Sequence, residues 1–246
     1  MRPADIPEIR RLPLFRDMGD EAFGALMFNS YAQVFPAGLE LIRSGDPADF
    51  LHVLVEGSVE LYADWEGRQC TMAILDPVST FILAACMRDA PYLMSARTLG
   101  RSRLVLVPSS DLRLAFERDA AFALSVLDEL SSTYRAMVRH AKGLKLRNSR
   151  ERIAAYLMRQ SVLAGDAAAF RLPIEKRYLA SYLGMTPENL SRTLRMLEGE
   201  GVKIDGSLVI ITDRARLSAL ARLDPLLDGP DLGGIPAGLP VARKLG

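Results

Sequence analysis

Between Thr186 and Glu198 the chain sets Glu188, Asn189, Ser191, Arg192 and Arg195 beside a helical stripe of Leu190, Leu194 and Leu197. An arginine can donate to guanine O6 and N7 together, a carboxylate can accept from cytosine N4, and a serine can bond a base or a phosphate. Presented from one helix, such groups suit the base edges of a duplex major groove. Thr186 adds a natural N-cap and Pro187 needs no backbone donor at the first helical position, so the helix has a defined start. The same charges would also serve as the solvated face of a plain helical hairpin, and that reading stays open at this point.

The flanking residues decide how such a helix is held. Leu179, Ala180 and Leu183 recur at helical spacing ahead of it, and Gly184 ends that first helix. Two short helices joined by a tight turn, with a small alanine where they cross, make a helix-turn-helix. Beyond it, residues 201–211 read as two strands around Asp205-Gly206, a hairpin wing. Upstream, Arg152–Leu163 reads as a helix with Ile153, Leu157 and Val162 inward, after a polar break at Asn148-Ser149, with Lys145–Ser149 read as a hinge.

Other chemistries are poorly supplied. From Phe35 to Val107, short runs rich in Val, Ile, Leu, Phe and Tyr alternate with turn residues, as expected of an antiparallel barrel. The clearest strands are Phe50–Val55 and Ser58–Tyr62 around Glu56-Gly57, then Arg68–Leu75 and Arg103–Val107, with residues 5–30 helical ahead of them. A metal-dependent barrel enzyme needs several histidines on one inner face. This chain has two histidines in all, His52 and His140. Nucleophile-elbow, phosphate-loop and dinucleotide motifs are also missing, so the reading is a non-enzyme with no metal site.

Residues 120–146 form a long helix in which Ala123, Leu127, Leu130, Tyr134, Met137, Ala141 and Leu144 alternate spacings of four and three. This is the a/d pattern of a helix that pairs with another helix. Phe122, Leu124 and Val126 widen the stripe at its start, so the first turns are expected on the barrel and the later ones in a symmetric dimer.

The 246 residues are 49% hydrophobic and 25% charged, a globular composition long enough for two domains. The net charge of +1 hides an uneven distribution, with 12 basic and 8 acidic side chains in residues 149–222 against 17 and 19 in residues 1–148. Cys70 and Cys86 are the only cysteines, which suits a reducing compartment. No signal peptide and no membrane-spanning stretch is evident, so the expected location is cytoplasmic. The expected class is α+β. Its parts are an N-terminal helix and β-barrel (1–118), a dimerisation helix (119–147), a winged helix-turn-helix (148–222), and a Gly- and Pro-rich, poorly structured tail (223–246).

That order of parts resembles the CRP/FNR family of bacterial transcription regulators, over residues from about 10 to 220, with a cyclic-nucleotide-binding-like jelly roll as the barrel. Glu188-Asn189-Leu190-Ser191-Arg192 is similar to the E-x-x-S-R signature of the FNR side, whereas the cyclic-AMP side carries Arg where Pro187 stands and Gly where Ser191 stands. The resemblance implies a homodimer on a palindrome of TTG(A)-type half-sites, read by Glu188, Ser191 and Arg192, with RNA polymerase as a further partner. It also implies an effector in the barrel. Cyclic-nucleotide binders use a Gly-Glu pair and an Arg-Ser/Thr pair, but the corresponding stretches here are residues 79–86 and 92–96, without the acid or the arginine. A buried phosphate would lack its cation unless Arg88 or Arg97 supplied one. Two cysteines cannot hold the four-cysteine iron–sulfur cluster of the oxygen sensors. Haem on His52 or His140, with Met94 or Cys86 as further candidates, and an apolar ligand along Phe81–Met87 remain readings beside a plain core. A regulatory subunit whose helical half contacts protein is the alternative to DNA binding.

Overall fold

A computed structural model describes residues Asp5–Gly229. They form two compact units that divide between Tyr134 and Arg135.

The first unit opens with α1 (Asp5–Arg10), α2 (Pro13–Arg16) and α3 (Asp20–Phe28). A single helix over residues 5–30 was the expectation; Pro13 and Gly19 instead start new helices, because proline supplies no backbone donor inside a helix. Eight strands follow: β1 (Tyr31–Phe35), β2 (Glu40–Ile42), β3 (Phe50–Glu56), β4 (Val59–Trp65), β5 (Arg68–Leu75), β6 (Ser79–Phe81), β7 (Ser95–Thr98) and β8 (Ser102–Pro108). They build two antiparallel four-stranded sheets, β1-β8-β3-β6 and β2-β7-β4-β5, the two layers of a jelly roll. Leu51, Val53, Val59, Leu61, Ala96, Val105 and Val107 fill the space between. A short α4 (Leu83–Arg88) and α5 (Ser109–Arg118) close the barrel.

Gly57 joins β3 to β4 at φ +93°, where a Cβ would come within 2.6 Å of the Arg101 carbonyl oxygen. Only glycine meets both the conformation and the contact. Two buried charges are also matched. Arg103 bonds both Asp5 and Glu56, and Arg97 holds the buried Glu60 at 2.7 Å while Thr71 donates to the same carboxylate at 2.6 Å. Breaking either set would strand a charge out of water.

The long helix α6 (Ala120–Leu146) starts on an Asp119 cap, which accepts from the Phe122 amide at 2.9 Å and from the Gly19 amide at 2.7 Å. Its Phe122 ring stacks on Phe15 at 6.1 Å, Val126 is buried and Leu130 packs on the barrel core. Leu124, by contrast, is exposed, because it lies off the four-residue stripe of Phe122, Val126 and Leu130.

The second unit continues with α7 (Ser149–Leu163), β9 (Ala169–Arg171), α8 (Lys176–Tyr182), α9 (Pro187–Glu198), β10 (Val202–Asp205), β11 (Leu208–Ile211), α10 (Arg214–Ala221) and α11 (Pro225–Asp228). The wing is a three-stranded sheet in the order β10-β11-β9, one strand more than the two expected. Ile153 and Leu157 are buried as expected, but Val162 is exposed and Gln160 and Ser161 take the inner positions. The hinge expected over Lys145–Ser149 spans the end of α6 and the start of α7. Asn148 and Glu151 cap α7 reciprocally, while Arg152 donates to the Leu144 and Arg147 carbonyls at the end of α6. The expected loose tail is also ordered as far as Gly229, where α11 lies; the rest of 223–246 falls outside the described residues.

Two outcomes follow from this packing. Gly67→Ala, in open space at φ +78°, costs about 1 kcal/mol of conformational strain, whereas Gly57→Ala adds a steric collision and costs about 3 kcal/mol, as read by urea unfolding. His52 is buried between Phe81 and Tyr92, and burial pushes its pKa down to about 4 from 6.5. The unfolded chain therefore takes up a proton that the folded one refuses. Stability from this group is complete above pH 6.5 and falls by about 3 kcal/mol as pH drops to 4, a loss that His52→Leu removes.

Candidate nucleic-acid interface

The helix-turn-helix is built from local backbone chemistry. After α8 the Met185 amide bonds the Ala180 carbonyl at 3.0 Å and the Gly184 amide bonds the Ser181 carbonyl at 3.0 Å, with Gly184 at φ +64°. This pair of bonds is the Schellman ending, which satisfies carbonyls that α8 would otherwise leave open. The chain then enters α9 through Thr186, whose hydroxyl oxygen accepts from the Asn189 amide at 3.2 Å, with Pro187 following. Burial of Leu190, Thr193, Leu194 and Leu197 against α7 and α8 fixes which face turns out.

Of the residues singled out in the sequence, Thr186, Glu188, Ser191, Arg192 and Arg195 are exposed together along α9. Asn189 differs: it is half-buried and its Oδ1 accepts from the Thr193 hydroxyl at 3.4 Å. The sequence reading missed Thr193, a buried member of the inner stripe, and Met196, which is exposed beside the arginines. Glu188 is held below the usual carboxylate range by its own backbone amide and then by the Thr186 hydroxyl, so it stays an ionised acceptor.

Charge is distributed unequally over this unit. Arg150 and Arg216 share Glu200, Arg214 pairs with Asp166, Arg177 with Glu175 and Arg222 with Glu151. Among residues 149–222, Arg192 and Arg195 on α9 and Lys203 on the wing make no ion pair with a carboxylate, and neither do Arg152, Arg159, Arg171 and Lys176. The basic excess read from composition therefore includes three cations on α9 and the wing. A guanidinium without a protein partner is free to donate to phosphate or base oxygens.

The seam residues of α6 divide by unit. In the first, Leu127 and Tyr134 are 61% and 69% exposed, while Leu130 leans on the barrel. In the second, Met137 is 58% exposed, with Ala141 and Leu144 also at the surface. So many large apolar side chains on one helix are unusual for a surface that water alone covers.

The haem candidates sit in packed surroundings. His52 lies in the barrel wall, stacked on Phe81 at 5.1 Å, and the His140 ring lies tilted against Tyr182 at 4.6 Å. Burial, followed by the Arg152 charge, lowers the His140 pKa, while burial alone raises that of Cys86 most. Phe81, Leu83, Cys86, Tyr92 and Ala96 all belong to the barrel core, which takes up the stretch considered for an apolar ligand. Met94 packs against that same core. Arg97, a possible phosphate partner, is committed to Glu60 and Gln69, and Arg88 is exposed. Among the described residues no group of three or more His, Cys, Asp or Glu could hold a metal ion, and no helix is long and apolar enough to cross a membrane.

Residues 32–119 match the Cyclic nucleotide-binding domain and residues 151–220 match the Crp-like helix-turn-helix domain. The transcriptional activator protein FnrL of Cereibacter sphaeroides is 28% identical over 258 residues, covering 96% of this chain and 95% of the relative. The nitrogen fixation regulation protein FixK of Azorhizobium caulinodans is 30% identical over 201 residues, 78% of each chain. The solved structure of FixK2 from Bradyrhizobium japonicum is similar with a TM-score of 0.67 at 25% identity, over 78% of this chain and 96% of that one. With its jelly roll, long helix and outward-facing α9, the chain belongs to the CRP/FNR family of DNA-binding transcriptional regulators.

Proposed function

We propose that this regulator acts in the cytoplasm as a homodimer that binds a palindrome of TTG(A)-type half-sites, one α9 in each of two successive major grooves. The observation that carries this reading is the exposed row of Glu188, Ser191, Arg192 and Arg195, whose two guanidinium groups lack carboxylate partners. Arg192 bonds the guanine edge, Glu188 accepts from a cytosine amino group, and Ser191 bonds base or phosphate. Thr186 and Asn189 fix the start of the helix, and Arg195 with Lys203 contacts phosphates. RNA polymerase completes the set of partners.

Dimerisation uses the apolar face of α6. Leu127, Tyr134, Met137, Ala141 and Leu144 repeat at four- and three-residue spacing and stand exposed in the single chain, and Leu130 belongs to the same repeat at its boundary with the barrel. Control by an effector in the barrel fits the match to the cyclic nucleotide-binding domain. A cyclic nucleotide itself is disfavoured, since Leu83, Ala84 and Met94 occupy the stretches where the family keeps its acid and its phosphate arginine.

Two substitutions test this reading. Arg192→Ala is expected to weaken binding to the TTG palindrome by about 1–3 kcal/mol per half-site while leaving salt-dependent binding to random duplex nearly intact, as read by fluorescence anisotropy. Equal losses on both duplexes would contradict base reading. Met137→Lys sets two like charges against each other across the seam and is expected to give monomers at micromolar concentration in sedimentation, with palindrome binding lost. An unchanged dimer would exclude this seam.

A further inference from the structure

After α10 the chain turns at Arg222, in the left-handed conformation at φ +47°, and starts α11 on an Asp224 cap that accepts from the Leu226 amide at 2.7 Å. Arg139 of α6 and Arg147, the residue just after it, reach this segment. Arg147 bonds both oxygens of Asp228, at 2.8 and 2.5 Å, and donates to the Arg222 carbonyl at 3.0 Å. Arg139, two turns earlier, donates to the Leu226 carbonyl at 3.2 Å and the Gly229 carbonyl at 3.3 Å. Asp228 also accepts from the Asp224 amide at 2.9 Å, and a Cβ on Gly229 would lie 2.3 Å from the Pro225 carbonyl oxygen. The Arg147 side chain is only 9% exposed, so this ion pair is shielded and bidentate.

The segment lies beyond residue 220, where the match to the Crp-like helix-turn-helix ends. Residues 224–229 follow the matched domain, and they tie the end of α10 back to the last turns of α6 and the residue after it. Within this unit α10 packs on α7 and α7 on α9, so whatever holds α10 to α6 also sets the direction of α9 relative to the end of α6. We propose that residues 224–229 are a specificity-determining strap, which fixes the half-site spacing that the dimer accepts by locking the recognition helix to the dimer helix through Arg139, Arg147 and Asp228. This rests on the dimeric DNA-binding reading above. A joint held by bidentate and backbone bonds admits one separation of the two α9 helices; a freed joint tolerates several.

The test uses the full chain and a set of duplexes with two TTG half-sites whose separation changes one base pair at a time around one helical turn. Wild-type protein is expected to prefer one spacing by about tenfold over its neighbours, and Asp228→Asn and a chain ending at Leu223 are expected to narrow that preference to about threefold, with single half-site affinity unchanged. Retention of the full preference by both would overturn the strap. Should those variants fail to fold, hydrogen exchange of the wild type decides: the amides of Leu227, Asp228 and Gly229 are expected to be protected together with those of residues 139–147, and free exchange there would overturn it. Absence of wild-type binding to a duplex of any spacing would overturn the dimeric reading itself, and the strap with it.

Discussion

Burial of Leu190, Thr193, Leu194 and Leu197 along one side of α9 is the constraint on which the rest depends. A helix of twelve residues would be marginal in water alone, so its packing on α7 and α8 holds it in place. Once that stripe is fixed, the 3.6-residue period leaves Ser191, Arg192 and Arg195 no choice but solvent, or whatever displaces it. Elsewhere in this unit arginines are held by carboxylates, Arg150 and Arg216 by Glu200, Arg214 by Asp166 and Arg222 by Glu151, whereas Glu188 and Glu198 of α9 hold neither Arg192 nor Arg195 in an ion pair. The outward arginines are therefore left for a polyanion.

The barrel unit shows the opposite economy of charge. Its buried ionic groups are matched internally, Glu60 by Arg97 and Asp5 and Glu56 by Arg103. The stretches that would contact a nucleotide phosphate are given to Phe81, Leu83, Tyr92 and Ala96 of the core. The match to the cyclic nucleotide-binding domain therefore gives the barrel's architecture, while function is carried by sites and not by the fold itself.

The recognition helix was legible because its signals are local. Gly184 needs a positive φ, Thr186 and Pro187 mark a start, and three leucines mark a face, all within about one helix length. The outer part of α6 was legible for the same reason. What escaped the sequence depends on partners distant in the chain. Strand β9 has three residues and exists because β11 pairs with it, and Leu124 and Val162 point outward because their neighbours claim the core. The segment from Asp224 reads as loop by its glycine and proline content, yet Asp224-Pro225 and Gly229 are a start and a stop around a single turn. Its order depends on Arg147, 81 positions earlier.

The most direct test of the account is the stoichiometry and half-site dependence of the complex, measured by mass photometry on a duplex carrying two TTG half-sites one helical turn apart. The account predicts two protein chains per duplex, formed cooperatively, and loss of the tight complex when the guanine of either half-site is replaced. One chain per duplex, or two chains bound equally well after both guanines are replaced, would contradict it.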